Sequence, residues 1–400
     1  RPLRPSGKAA WAQRPATRWV AIFTKNLFMS LDRTPHIGLY GVANVGKSSL
    51  LNRLTGQQAS IVSPEAGTTT DPVRRSFEIA GYGPVVFIDT AGIDDTTTEL
   101  GRLRVRKTRQ TLTEVEVAVV LLVAEEPSPT EREWLATVRA NDLPAVVLPS
   151  RGDGLSTDEI LRRIVEQLPE AAQADPPFFG ERRVEAGDRL VFVCPIDDAA
   201  PAGRLILPQV QALRAALDLG AVALTVQPAQ LAGLLSSFEA TPPRLIVTDS
   251  QAFREVTATA REFCPTAEVT SFSILLAERK GNRTVYAEGL RAVDSLKPGD
   301  RILIIENCSH QITCNDIGRS KIPAWLSSYT GIDDLRFTFV AGRDPLPAAL
   351  SDSPGHFALA IQCGGCVATR RLIQSRIRAA QTNGLPITNY GMLIRKLQVK

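Results

Sequence analysis

The chain has 400 residues, 44% of them hydrophobic, with 46 basic and 42 acidic side chains and a formal net charge of +4. That length predicts two or three domains with their own cores, and no apolar run reaches the span of a membrane: WVAIFTKNLFM (19–29) is short and interrupted by Lys25. Six cysteines in so long a chain exclude a secreted disulfide scaffold, so a soluble protein of a reducing compartment is expected.

Residues 1–33 read as a leader or linker, disordered and outside the fold. Arg1, Arg4, Lys8, Arg14, Arg18 and Lys25 stand there without an acidic neighbour, and Met29 is a natural start. Such a segment suits a targeting sequence, a fusion linker or translated upstream sequence. Without those six cations the chain is close to neutral, so the case for a nucleic-acid or membrane partner rests on the leader, and neither partner is expected.

The first patterned element is HIGLYG (36–41), an apolar strand running into GVANVGKSS, with helical spacing resuming in SLLNRLTG. Strand, glycine loop and helix in that order fit G-x-x-x-x-G-K-[ST], a phosphate-binding loop. Gly41 and Gly46 permit the tight turn, and the amides of Asn44, Val45, Gly46, Lys47, Ser48 and Ser49 face the phosphates at a helix N-terminus. Lys47 is expected to reach the outer phosphates and Ser48 to bind magnesium.

AGTTTDPV (66–73) reads as a switch loop whose Thr69 completes the magnesium shell. VVFIDTAG (85–92) is an apolar strand ending in Asp89-x-x-Gly92, with Asp89 holding magnesium through water and the Gly92 amide sensing the terminal phosphate. Residue 93 is Ile, where many GTPases place the glutamine that orients the attacking water, so slow hydrolysis is expected. Asn44 resembles the asparagine of potassium-activated GTPases, which adds K+ to Lys47, Asp89 and Asn44 as the catalytic set; ordinary turn chemistry also explains an Asn there. Guanine selection falls to Asp153 in PAVVLPSRGD, where Ser150 and Arg151 replace the usual Asn and Lys.

EILRRIVEQLPEAA (159–172) is an amphipathic helix, and DPPFFGERRVEAGD reads as a linker from its prolines, glycines and charges. LVFVCPI (190–196), PQVQALRAAL, AVALTVQ, LAGLLSSFEA and RLIVTDSQ then alternate strand and helix, a small α/β unit without a catalytic constellation, suited to association.

FSILLAERKG (272–281) and RILIIENCSH (301–310) open the last module. A strand ending in Cys308-x-His310 places both side chains on one side of its exit, and HFALAIQCGGC returns another strand into a glycine turn. Gly364 and Gly365 let Cys363 and Cys366 converge on one metal centre. Three thiolates suit an iron–sulfur cluster, and three thiols with His310 equally suit structural zinc. Cys194, Cys264 and Cys314 look incidental, and His356 an ordinary strand or loop residue. RRLIQSRIRAA (370–380) carries Arg370, Arg371, Arg376 and Arg378 on a helix expected to turn a solvated face outward, with a docking surface for an anionic precursor or acidic partner as the alternative. GLPITNYG (384–391) reads as a C-terminal turn, with Tyr390 packing near the metal centre as the other reading.

GVANVGKSSLLNRLTGQ, GTTTDPV, DTAGIDD and LGRLRVRKT, followed by PIDDAAPAGRLILPQVQ, VTDSQAF, ENCSH, DIGRSKIP, CGGC and PITNYG, resemble the HydF family of FeFe-hydrogenase maturation GTPases over residues 34–400. The resemblance implies an α/β chain of three domains: a P-loop GTPase (34–180), a small dimerisation domain (184–268) and a cluster domain (270–400). It also implies a 4Fe-4S cluster on Cys308, Cys363 and Cys366, with His310 as a candidate fourth ligand or a donor to the cluster. Many relatives have a His before CxxC, where this chain has Gln362, a poor iron ligand. The implied protein is a homodimeric scaffold that hydrolyses GTP with Mg2+ and K+. It receives a di-iron precursor from radical-SAM hydrogenase maturases and delivers it to apo-FeFe-hydrogenase. Its expected place is the cytoplasm in a bacterial source or the chloroplast stroma in an algal one. The alternatives are a TrmE/Era-like GTPase of tRNA modification or ribosome assembly with a metal-binding C-terminal domain, and a ferredoxin-like redox protein, for which four stable cysteine ligands would be wanted.

Overall fold

The computed structural model describes residues 34–55, 72–80, 82–168, 176–196, 205–238, 241–307, 316–342, 346, 350 and 357–398. Its three sheets each have helices packed on them, and the chain is α/β throughout, a P-loop module followed by two smaller parallel-sheet modules.

The first module runs β1 (His36–Tyr40), α1 (Lys47–Thr55), β2 (Val73–Ile79), β3 (Gly83–Asp89), α2 (Glu99–Thr111), β4 (Val117–Leu121), α3 (Pro129–Ala140), β5 (Ala145–Leu148) and α4 (Thr157–Gln167). The sheet order is β2-β3-β1-β4-β5, parallel except for the β2–β3 hairpin. All five residues of β4, VAVVL, are buried, as a parallel strand covered on both faces requires. Because β1 lies between β3 and β4, the loops leaving β1 and β3 diverge, and the crevice between their carboxyl ends is where an open α/β sheet binds ligands. The phosphate-loop sequence leaves β1 there.

The second module contains β6 (Arg189–Val193), α5 (Leu207–Asp218), β7 (Val222–Val226), α6 (Leu231–Ser236), β8 (Leu245–Thr248), α7 (Phe253–Phe263) and β9 (Glu268–Ser271), in the parallel order β7-β6-β8-β9. After α8 (Phe272–Lys280) and α9 (Arg283–Leu290), the third adds β10 (Arg301–Ile305), α10 (Ile322–Thr330), β11 (Arg336–Val340), β12 (Leu359–Gln362), α11 (Arg370–Thr382), β13 (Ile387–Asn389) and α12 (Tyr390–Gln398). Its order, β11-β10-β12-β13, has the same topology as the second sheet. The switch point of this sheet therefore lies between β10 and β12, whose carboxyl ends lead toward Cys308 and into Cys363.

Three local expectations differ from the structure. The stretch expected to be a linker after the first module anchors the second: Phe178 and Phe179 are buried in its core, edge to face at 5.3 Å, beneath the Arg279 guanidinium, and Arg182 pairs with Glu278 at 2.6 Å. Prolines and charges there shape an irregular segment whose aromatic pair still has apolar area to bury. FSILLAERK, placed in the last module by its position, is α8, and its Phe272, Leu275 and Leu276 fill the second core while Ala277 enters the third. GLPITNYG is not a turn but β13 and the start of α12, with Tyr390 in the third module's core.

Candidate nucleotide site and cysteine turn

At the end of β1 the chain turns through Gly41 and returns as α1, leaving Ala43, Asn44, Ser48 and Ser49 exposed and Val45 buried in the core. Asn44 has φ 58, a left-handed conformation that Asn tolerates better than most residues. Lys47 is buried, and its ammonium donates to the carbonyls of Gly41 at 3.0 Å and Val42 at 2.8 Å, folded over its own loop. Desolvation lowers its pKa, against the pull of Asp89 and Asp94.

Ser48 Oγ donates to Asp89 Oδ2 at 2.6 Å, so the two expected magnesium residues already meet. Asp89 Oδ1 is buried without a hydrogen-bond partner among the described residues, and burial raises the carboxyl pKa against the Ser48 hydrogen bond and Lys47. A buried oxygen without a donor beside a serine hydroxyl fits the oxygen ligation of magnesium. Gly92 follows, and a Cβ there would lie 2.7 Å from the Ala43 nitrogen, so the segment after β3 passes against the phosphate loop only with glycine at this position. Two bonds hold that approach: Ala43 N–H donates to Asp94 Oδ1 at 2.7 Å and Ile93 N–H to Gly41 O at 3.2 Å. The Ile93 side chain packs into the core with Tyr40 and Trp134. Asp153 is exposed past the β5 exit, where Arg151 takes φ 63 and donates its N–H to Leu122 O. Thr69 lies outside the described residues.

The second constellation stands at the switch point of the third sheet. Cys363 N–H donates to Ile305 O at 2.9 Å, continuing the β10–β12 ladder by one step. Asn307, leaving β10, donates its backbone N–H to Cys363 Sγ at 3.0 Å and its Nδ2 to the same sulfur at 3.3 Å and to Cys363 O at 2.9 Å. A sulfur receiving two N–H donors is in the acceptor role of a thiolate or a metal-bound sulfur, and such hydrogen bonds tune iron–sulfur sites. Gly365 has φ 64, and a Cβ on it would meet Ile373 Cδ1 at 2.6 Å, so the turn to Cys366 needs glycine there. Cys366 packs partly against the second module's core. Cys308, His310, Cys314 and His356 lie outside the described residues, and among those described no three His, Cys, Asp or Glu side chains group as a metal site.

Gln362 is fully buried, accepting from Tyr286 Oη at 3.1 Å and donating to Asn307 Oδ1 at 3.3 Å. It stiffens the residue that bonds Cys363. The arginine helix also differs from expectation. Arg370 and Arg378 are exposed, but Arg376 is buried, reaching Asn307 Oδ1 at 2.6 Å and Gly342 O at 2.9 Å, and Arg371 turns to the first module. Its guanidinium donates to Leu112 O at 3.3 Å and to Asn141 O, and Thr369 Oγ1 donates to Glu114 O at 3.0 Å. The reason is α11's amphipathicity: with Leu372, Ile373 and Ile377 buried, neighbouring arginines on that side are enclosed and satisfied by carbonyls. Sequence reading missed Lys280, Asn307, Asp94 and these arginines as site-shaping residues. Only Asn307, adjacent to Cys308 in ENCSH, had a signal in its position.

Fold and site together define a P-loop GTPase with two appended α/β modules. Residues 36–150 match the 50S ribosome-binding GTPase family, 181–281 the hydrogen maturase F dimerization domain, and 284–399 the hydrogen maturase F tetramerization domain. The last two cover more than half of the chain, which belongs to the hydrogen maturase F (HydF) family. A GTPase domain of this kind implies GTP and Mg2+, and the two named association domains show an oligomerising protein.

Curated relatives match in the GTPase region. The tRNA modification GTPase MnmE of Neisseria gonorrhoeae is 36% identical over 118 residues, 30% of this chain and 26% of that protein. MnmE of Ralstonia nicotianae is 43% identical over 91 residues, 23% of this chain and 19% of the relative. The mitochondrial 5-taurinomethyluridine-[tRNA] synthase subunit GTPB3 of Danio rerio is 44% identical over 87 residues, 22% and 17% respectively. The chain thus spans about a quarter or less of the length of these relatives. The solved structure of an Aquifex aeolicus Era variant bound to GDP.AlF4- aligns over 78% of this chain and 96% of its own at 18% identity, with a TM-score of 0.25 that carries no argument. No helix among the described residues is long and apolar enough to cross a membrane.

Proposed function

We propose that this protein is a GTP-hydrolysing scaffold of FeFe-hydrogenase maturation, which holds a 4Fe-4S cluster in its third module and passes a di-iron precursor to apo-hydrogenase. The observation that carries it is the cysteine turn at the switch point of a hydrogen maturase F domain, with two N–H donors on Cys363 Sγ, in one chain with a phosphate loop. We assign the GTPase to the first module, dimerisation to the second, with Phe178, Phe179, Arg182 and α8 in it, and the cluster to the third, which moves the bounds expected at 180, 184 and 268–270.

In the first module Lys47 leaves the Gly41 and Val42 carbonyls to meet the outer phosphates, and the amides from Asn44 to Ser49 bind the rest. Ser48 and Asp89 hold Mg2+ with Thr69, the Gly92 amide follows the terminal phosphate, and Asp153 accepts from guanine. Breaking the Ala43–Asp94 bond frees an amide beside the phosphates and releases the segment after β3. With Ile93 packed into the core, no side chain at that position orients water; hydrolysis is slow and assisted by K+ at Asn44.

Cys308, Cys363 and Cys366 hold the cluster, with His310 a fourth ligand or neighbour. Bound there, it supplies an iron site with a coordination position open to exchange. Asn307 orients Cys363, and the Thr369 and Arg371 contacts set the turn against the GTPase module. Dimerisation, exchange with radical-SAM maturases and a cytoplasmic or stromal location complete the reading, without nucleic acid or membrane. The test is hydrogenase activation by Lys47→Ala: this variant should bind its cluster and fail to activate, and normal activation would refute the role of GTP.

A further inference from the structure

Residues 111–114, between α2 and β4, are tied to three parts of the nucleotide site. Tyr40, the last residue of β1, shares a hydrogen bond with Thr111 Oγ1 at 2.7 Å. Arg74 on β2, next to the Val73–Asp89 pair, is ion-paired with Glu114 at 2.9 Å. The third tie is the chain itself, because the segment that Asp94 holds to the phosphate loop continues into α2 as one packed piece. Thr98 Oγ1 accepts from Gly101 N–H at 2.9 Å, Arg102 donates to Thr96 O at 3.3 Å, Arg104 pairs with Asp95 at 3.7 Å, and a Cβ on Gly101 would collide with Asp95. The 13 residues of α2 then carry the position of that segment about 20 Å to residues 111–114.

The same four residues receive the chain that leaves the cysteine turn: Thr369 donates to Glu114 O and Arg371 to Leu112 O, and Thr369 follows Cys366 by three residues. Between Cys366 and Thr369 the chain is braced. Ala368 N–H donates to Gly365 O at 3.1 Å, and the Lys280 ammonium donates to the carbonyls of Gly365, Cys366 and Ala368 at 2.9, 3.2 and 3.1 Å. Gln374 Nε2 on α11 donates in turn to Lys280 O and Gly281 O at 2.8 Å each. A shift at Thr369 therefore reaches the turn instead of being absorbed in loose chain. We propose that residues 111–114 couple the two sites: the bound nucleotide sets where α2 ends, and Thr369 and Arg371, as positioning residues, pass that setting to the turn that carries Cys363 and Cys366. This rests on the reading of the first module as a GTP switch and needs no bound cluster. Coupling acts in both directions, so whatever binds at the turn alters the preference for GTP over GDP.

Hydrogen exchange of the full chain is followed by mass spectrometry with Mg2+ and saturating GDP, and again with Mg2+ and the non-hydrolysable guanosine 5′-(β,γ-imido)triphosphate. The reporters are the amides of Ala368 and Ile373, whose bonds to Gly365 O and Thr369 O use no side chain that is substituted. In wild type their exchange rates should differ about fivefold or more between the two nucleotides. In the double variant Thr369→Ala/Arg371→Met the difference should vanish, while exchange in residues 41–49 still responds to nucleotide. Equal exchange in wild type overturns the coupling, and a full difference in the double variant overturns this route for it. If residues 41–49 of wild type do not respond to either nucleotide, the GTP-switch reading falls, and this inference with it. Should circular dichroism show the double variant unfolded, the single variants take its place: a smaller difference in either supports the route, and the full difference in both overturns it.

Discussion

Gly92 shows how closely single atoms are set in the nucleotide site. A methyl group there would lie 2.7 Å from the Ala43 nitrogen and 2.8 Å from its Cα, so Gly92→Ala must push the segment after β3 off the phosphate loop. GTP turnover is expected to fall about 100-fold, as on loss of one oriented donor, while nucleotide binding persists; turnover near wild type in a phosphate-release assay would contradict this. Glu116 carries a pH signature. Burial pushes its carboxyl up to about 8, against the His36 N–H that donates to it and nearby Arg371, with Glu114 adding to the rise. Unfolded, the group ionises near 4.5, so between these values the folded chain holds a proton the unfolded chain has lost, and stability falls as pH rises through that window. Glu116→Gln should therefore flatten the decline in Tm between about pH 5 and pH 8; an unchanged decline would place its origin elsewhere. At this scale the phosphate loop was legible because its spacing is itself the mechanism. Lys280 was not: its partners stand about 85 residues further along, and only the folded chain brings them together.

Elements that are buried on both faces announced themselves. LVFV in β6 and ILII in β10 are apolar runs too short for helices, and both lie in central parallel strands. What misled was irregular chain and shared helices. PPFFGERR (176–183) has no regular element yet buries two aromatic rings, and α8 serves two cores at once, which periodicity alone does not reveal. Leu275, fully buried in α8, gives a direct check: Leu275→Ala should cost about 2–5 kcal/mol in chemical denaturation. A cost near zero would mean that the helix does not tie the modules together. At the start of α11, Thr369 Oγ1 accepts from Leu372 N–H at 3.2 Å while donating to Glu114 O of the GTPase module. Thr369→Ala should lose about 1 kcal/mol of cap stability, and Thr369→Ser should restore it. A Ser variant no better than Ala would show the hydroxyl to be idle.

Across the whole molecule, one topological rule places both sites. The phosphate loop leaves β1 at the switch point of the first sheet, and the cysteine turn leaves β12 at that of the third, with α11 docked by Arg371 against the ends of α2 and α3. In the module that matches the dimerization domain, β7 is an edge strand with Val222 exposed, beside α5, which exposes Leu207, Val210 and Leu217. Val222→Lys should lower the assembly state in analytical ultracentrifugation, since a charged edge strand resists pairing; an unaltered assembly would move the contact elsewhere. The central claim is that the distant thiols hold a cluster in a chain governed by GTP. The measurement that tests it most directly is iron and acid-labile sulfide per chain after anaerobic reconstitution, with electron paramagnetic resonance of the reduced protein, for wild type and Cys363→Ala. The account predicts about four of each per wild-type chain and a cluster signal lost in the variant; zinc in their place, or no bound metal, would contradict it.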